Sequence, residues 1–201
     1  MDKNSYALGM SIAHNMISSG IKEVSFPDFV DGLKAVLTGE TPAVPFEEAG
    51  RILDKYFSDL ESRQKSEAAA MGSAMKKEGE EFLAANAGKE GVVTLPSGLQ
   101  YKILVPGTGR RPSATGKVKC HYCGTFVNGT KFDSSYDREE AAVFGVNQVI
   151  AGWTEALQLM QEGAKWELYI PYSLAYGEHG APGAIPPYSA LIFTVELIEV
   201  L

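Results

Sequence analysis

HYCG (121–124), KFDSS (131–135), QVIAGW (148–153), LAYG (174–177) and GAIPPYSALIF (183–193) follow one another through the second half of the chain, and their reading decides the fold. Taken alone, each is ordinary core chemistry, because an aromatic at an alternating strand position is usually buried for packing. Together they bring Tyr122, Phe132, Phe144, Trp153, Tyr176 and Phe193 into one domain, with Asp133 as a lone acid among them. Aromatic walls around a single carboxylate suggest a functional pocket.

The sequence around these motifs has a hydrophobic period of two. Residues 99–105 (LQYKILV) are expected to form a strand closed by Pro106-Gly107. Residues 118–127 form a longer one ending at Asn128-Gly129, a strong hairpin signal, and 131–133 return as its partner. Trp166, Leu168 and Ile170 alternate with Lys165, Glu167 and Tyr169, and Leu191, Phe193, Val195 and Leu197 alternate along the last strand. Between them, 153–160 (WTEALQLM) with Gly163 beyond it reads as a short amphipathic helix covering the apolar sheet face. The expected class is α+β, with an antiparallel twisted sheet wrapped around one short helix.

Upstream the period is helical. Tyr6, Met10, Ala13 and Ile17 mark a helix over 5–19 stopped near Gly20, and Leu8, Ile12 and Met16 form a second apolar row that one neighbour would not cover. Ser25 and Asp28 resemble a capping box, Pro27 suits an early helical position, and the apolar pattern runs to Gly39. A third pattern begins at Phe46 and continues to Gly88 without a proline. Some 40 residues at 1.5 Å each make a rod about 60 Å long. From Glu61 to Glu81 this pattern is mostly Ala, Met and charge, interrupted by Gly72 and Gly79, and reads as a solvated connector. The expected division is 1–60 helical dimerisation domain, 61–90 continuation of the long connecting helix and linker, and 91–201 the sheet domain. So few helical layers cannot bury their own apolar faces, so a homodimer through the N-terminal helices is expected.

The 201 residues are 45% hydrophobic and 21% charged, enough to bury a real core, and the formal charge of −7 argues against nucleic acid as a partner. No apolar run approaches the ~20 residues of a membrane span. The start MDKNSYALG lacks a basic region followed by an apolar block, which leads to an expectation of cytoplasmic location, or export if a signal was removed. Cys120 and Cys123 are the only cysteines. In a strand, positions i and i+3 face opposite sides about 10 Å apart, which opposes both a disulfide and a shared metal. His14, His121 and His179 are scattered, so no metal and no cofactor is expected, and no Ser-His-Asp spacing is present.

The five ordered motifs resemble the FKBP-type peptidyl-prolyl cis-trans isomerases over about residues 91–201. YALGMSIAHN (6–15) and DFVDGLKAVLTG (28–39) resemble the dimerising module of the bacterial macrophage infectivity potentiator (Mip)-like branch. The resemblance implies acceleration of X-Pro rotation in unfolded or partly folded proteins. The alternative is a dimeric holdase in which isomerase activity is secondary.

It also implies roles. Trp153 would form the floor under the proline ring, with Tyr122, Phe132, Phe144, Val149, Ile150, Tyr176 and Phe193 as walls. The Ile150 N–H and the Tyr176 hydroxyl would anchor substrate carbonyls, and Asp133, held by Tyr122, would face the twisting amide. Ile185 is expected to bind substrate from a flap over 176–187. Asp133, Tyr176, Tyr122, Phe132 and Trp153 are the expected catalytic set. Macrolide inhibitors are implied as ligands, against smaller walls at Ala142 and Ala184 than relatives usually present.

Overall fold

The computed structural model describes residues 1–201. In chain order the elements are α1 (Lys3–Ser18), α2 (Phe26–Thr38), α3 (Phe46–Asn86), β1 (Val92–Thr94), β2 (Gln100–Val105), β3 (Lys117–Phe126), β4 (Lys131–Ser134), β5 (Ala142–Gly145), α4 (Ala151–Leu159), β6 (Lys165–Ile170), a short 3₁₀ turn (Tyr172–Leu174) and β7 (Leu191–Val200). The chain divides into two compact units, Met1–Glu67 and Ala68–Leu201.

In the second unit one sheet is ordered β1-β2-β6-β7-β3-β4, with β5 also paired to β3, and every pairing is antiparallel. Strand β3 shows why: Val118, Cys120, Tyr122 and Gly124 are buried, while the residues between them face the other way. Their buried face meets Trp153, Ala156 and Leu157 of α4, together with Leu168, Ile170, Leu191, Val195 and Leu197. Gly124 is required where it stands, because a Cβ there would lie 2.6 Å from the Phe132 ring and 2.7 Å from Phe193. The hairpin expected at Asn128-Gly129 forms, with Gly129 at φ 86° and the Phe126 N–H donating to the Thr130 carbonyl. Cys120 and Cys123 are both free; Cys120 is buried, and burial pushes its thiol up to about 12, so it behaves as an inert core residue. Strands β1 and β5 were not foreseen: at 3 and 4 residues they are too short to show a period and exist because β2 and β3 supply partners.

The second half of α3 departs from the solvated connector expected. Gly72, Gly79 and Asn86 are buried. An added Cβ at Gly79 would lie 2.8 Å from the Ala190 Cβ, and one at Gly72 would lie 3.0 Å from the Tyr188 ring. These glycines lower helix propensity but allow the helix to approach the segment leading into β7. Asn86 donates to Gln100 (3.0 Å), and Gln100 donates to the Leu83 carbonyl (2.9 Å), fastening the helix end to β2.

In the first unit, Asp2 caps α1 by accepting from the amides of Asn4 and Ser5. Ser25 occupies the cap of α2 without a side-chain hydrogen bond, so the expected capping box does not form, and Pro27 with Asp28 in the first turn start the helix instead. No residue of 1–67 is buried.

Replacing Gly79 with valine should lower the stability of the second unit by about 1–3 kcal/mol, the range for overpacking a tight contact. The denaturant midpoint, followed by the fluorescence of Trp153 and Trp166, measures it; an unchanged midpoint would mean that the close approach to Ala190 is not a constraint.

Candidate active site

A cavity of about 500 Å³ opens where β3, β4, β5, β7 and the start of α4 converge. Tyr122 enters it from β3, Phe132 and Asp133 from β4, and Phe144 from β5. Gln148, Val149 and Ile150 come from the segment entering α4, Trp153 from its first turn, Tyr176 from the start of the flap and Phe193 from β7. The packing of the rings is specific. Trp153 stands nearly perpendicular to Tyr122 (5.4 Å), Phe144 (5.6 Å) and Phe193 (5.3 Å), the edge-to-face geometry that favours aromatic pairs. Its indole N–H is buried without a partner, so packing alone fixes the ring.

One polar corner interrupts this surface. The Tyr122 hydroxyl donates to Asp133 Oδ2 (2.6 Å), Arg138 Nη1 donates to Asp133 Oδ1 (2.5 Å), and Arg138 Nη2 donates to the Tyr122 hydroxyl (2.7 Å). Partial burial pushes the Asp133 carboxyl up, but the hydrogen bonds from Tyr122 and Arg138 and the guanidinium charge outweigh it, holding the group below the usual carboxylate range. Burial, then the hydrogen bond to Asp133, raises Tyr122, which stays a protonated donor. Both carboxylate oxygens are therefore engaged, and the side chain is an oriented anion. The corner is braced from beneath by Ser135, fully buried, whose hydroxyl accepts from the Tyr122 amide at 2.7 Å.

The Ile150 carbonyl accepts from the amides of Trp153 and Thr154, which starts α4, while the N–H of Ile150 takes no part in backbone bonding. Thr154 ties the helix to the Val146 carbonyl at 2.7 Å. No histidine, cysteine, serine or lysine lines the cavity.

Nine of the ten residues expected from sequence meet here. The tenth, Ile185, does not line the cavity: it is buried, its backbone pairs with Ala181 within the flap, and it belongs to the same core as Trp153 and Phe193. Two participants were missed. Arg138 lies five residues beyond Asp133 in a turn without periodicity, and its only signal was being a cation close in sequence to the lone acid. Gln148 opens the QVIAGW motif but carries no charge or ring to single it out.

Residues 108–198 match the family described as FKBP-type peptidyl-prolyl cis-trans isomerase, and residues 1–103 match the domain amino terminal to it. The chain is 44% identical over 199 residues to the FKBP-type 22 kDa peptidyl-prolyl cis-trans isomerase of Escherichia coli (strain K12), covering 98% of this chain and 94% of that one. It is 40% identical over 199 residues to the outer membrane protein MIP of Legionella longbeachae, covering 99% and 85%. The crystal structure of FkpA from Escherichia coli superposes with a TM-score of 0.78 at 33% identity, covering 98% of this chain and 95% of that chain. No helix here is long and apolar enough to cross a membrane. The expectation of a cytoplasmic location finds no support among relatives, one of which is named for the outer membrane. The aromatic cavity, the sheet that builds it and the helices that precede it thus have one explanation: the chain belongs to the FKBP-type peptidyl-prolyl cis-trans isomerases, in the Mip-like branch that carries an N-terminal helical domain.

Proposed function

We propose that the cavity accelerates X-Pro rotation by desolvating the amide, with Trp153 under the proline ring and Asp133 as a fixed anion facing the bond. Amide resonance sets a barrier of about 18–20 kcal/mol, and the unaided X-Pro bond turns over in tens to hundreds of seconds. Twisting removes the C–N double-bond character and makes the carbonyl less charge-separated, so a water-poor apolar site favours the twisted state over the planar one. Lowering the barrier by ~5 kcal/mol gives roughly four decades in rate.

One observation carries this reading: the cavity is ringed by Tyr122, Phe132, Phe144, Trp153 and Phe193, and its lone carboxylate already has both oxygens hydrogen-bonded. A carboxylate so engaged, held ionised by its neighbours, is suited to electrostatic orientation rather than to proton abstraction. Phe132, Phe144, Val149 and Phe193 serve as walls, and the Ile150 N–H and the Tyr176 hydroxyl anchor the substrate backbone. Substrates are proline-containing segments of unfolded or partly folded proteins, whose folding the chain assists. Macrolides are candidate competitors for the same apolar surface. The holdase alternative is not favoured, because the relatives are named for isomerase activity.

The helices supply a second element of the proposal: residues 1–60 pair with a second copy of the chain, 61–90 connect and 91–201 hold the isomerase site. Tyr6, Met10 and Ile17 of α1 and Val30 and Leu37 of α2 are all more than half exposed. A cavity of about 610 Å³ lies between these helices, lined by Tyr6, Met10, Ile17, Phe29 and Leu33. Apolar surface of this extent on a unit with no buried residue is supported by the self-complementary interface of a symmetric dimer.

Two outcomes are expected. Trp153→Leu and Asp133→Leu, each checked for native circular dichroism, should lower kcat/KM on a proline peptide by roughly tenfold or more, since the first removes the floor under the proline ring and the second the anion facing the amide; unchanged rates would reject the site. Light scattering at micromolar concentration should give twice the chain mass of 21.7 kDa. A mass equal to one chain would reject the dimer.

A further inference from the structure

We infer that a second groove, beside the catalytic cavity, binds an apolar side chain of the same polypeptide whose X-Pro bond occupies the cavity, a few residues from the proline. The inference rests on the isomerase reading and extends it to substrate selection. The groove lies between the second half of α3, the turn joining β3 to β4 and the base of the flap; Met71, Met75, Phe126, Pro186 and Ala190 give it an apolar surface. It encloses about 260 Å³, below the roughly 300–1,000 Å³ that hold a separate small molecule, and so has the dimensions of a side-chain subsite.

Continuity with the catalytic cavity identifies the occupant. The Phe126 ring, on the groove side, lies 5.0 Å from the Phe132 ring, which is a wall of the cavity and itself lies 5.5 Å from Phe193. One aromatic pair therefore separates the two depressions. An extended chain advances ~3.3 Å per residue, so roughly three or four residues cross that wall. The flap is also common to both. Tyr176 at its start lines the cavity and Pro186 near its end lines the groove, and the Tyr188 amide donates to the Gly177 carbonyl at 3.1 Å to close the two ends.

The surface suits varied apolar side chains. Met71 is 53% exposed although the adjacent Gly72 is buried, and unbranched thioethers adapt to differently shaped partners. Glu78 is the one charged residue of the lining, so an acidic segment is repelled and a basic one tolerated. The two methionines stand on α3, so a sheet domain lacking that helix would lack one wall of the groove.

The test uses the full chain with a proline tetrapeptide, too short to cross the aromatic wall, and with twelve-residue peptides in which one leucine is moved stepwise away from the proline on either side. A leucine about three to five residues from the proline should raise kcat/KM about tenfold, the lower end of what an apolar pocket contributes to discrimination. Met71→Glu and Met75→Glu, which keep helix propensity, should abolish that gain while leaving tetrapeptide turnover within about twofold of wild type; Met75→Leu should retain the gain. The inference is overturned if no leucine position is preferred, if the preference survives in the Glu variants, or if those variants lose tetrapeptide turnover equally. A wild-type chain that fails to isomerise the tetrapeptide would instead overturn the isomerase reading, and the groove's role with it.

Discussion

The hydroxyl of Tyr122 sits where the aromatic core of the sheet domain meets its single polar corner. Its ring packs against Trp153, Phe144 and Phe193, and its oxygen donates to Asp133 while accepting from Arg138. Its backbone is held by Ser135 on both sides: the amide donates to the serine hydroxyl, and the carbonyl accepts from the serine amide at 2.9 Å. Strand β3 presents the residue midway along its length, paired with Val195 of β7 on one side while β4 and β5 pair along the other. A shift of this strand by one residue would turn Tyr122 outward and put His121 in the cavity, so the register of β3 fixes both the core and the geometry of the cavity.

The same constraint explains what could be read in advance. Tyr122, Trp153 and Phe193 were legible because an alternating or helical period places them on the buried side, and Asp133 because it is an acid inside an aromatic set. Arg138 was not legible: it reaches Asp133 from a turn, where spacing carries no geometric meaning. Gly72 and Gly79 read as weaknesses of a solvated helix because the groups they approach, Tyr188 and Ala190, lie far along the chain. Ile185 was expected at the site from its place in the flap, and the structure puts it in the core just behind the cavity wall. Period and composition report which side of an element is buried; they do not report what it is buried against.

The two units illustrate opposite solutions to one problem. Ala68–Leu201 buries a continuous core of Leu99, Leu157, Leu168, Ile170, Leu191 and Leu197 on its own. Met1–Glu67 carries a comparable density of large apolar side chains and buries none of them, which is the surface the proposed pairing with a second copy would cover.

If the cavity accelerates rotation by desolvation and a fixed carboxylate, no proton moves in the transition state. The solvent deuterium isotope effect on kcat/KM tests it most directly. A value near unity across the neutral pH range is what an oriented, already hydrogen-bonded Asp133 requires. A normal effect of about twofold or more, the signature of proton transfer in the transition state, would contradict it and make Asp133 or Tyr122 a general acid or base.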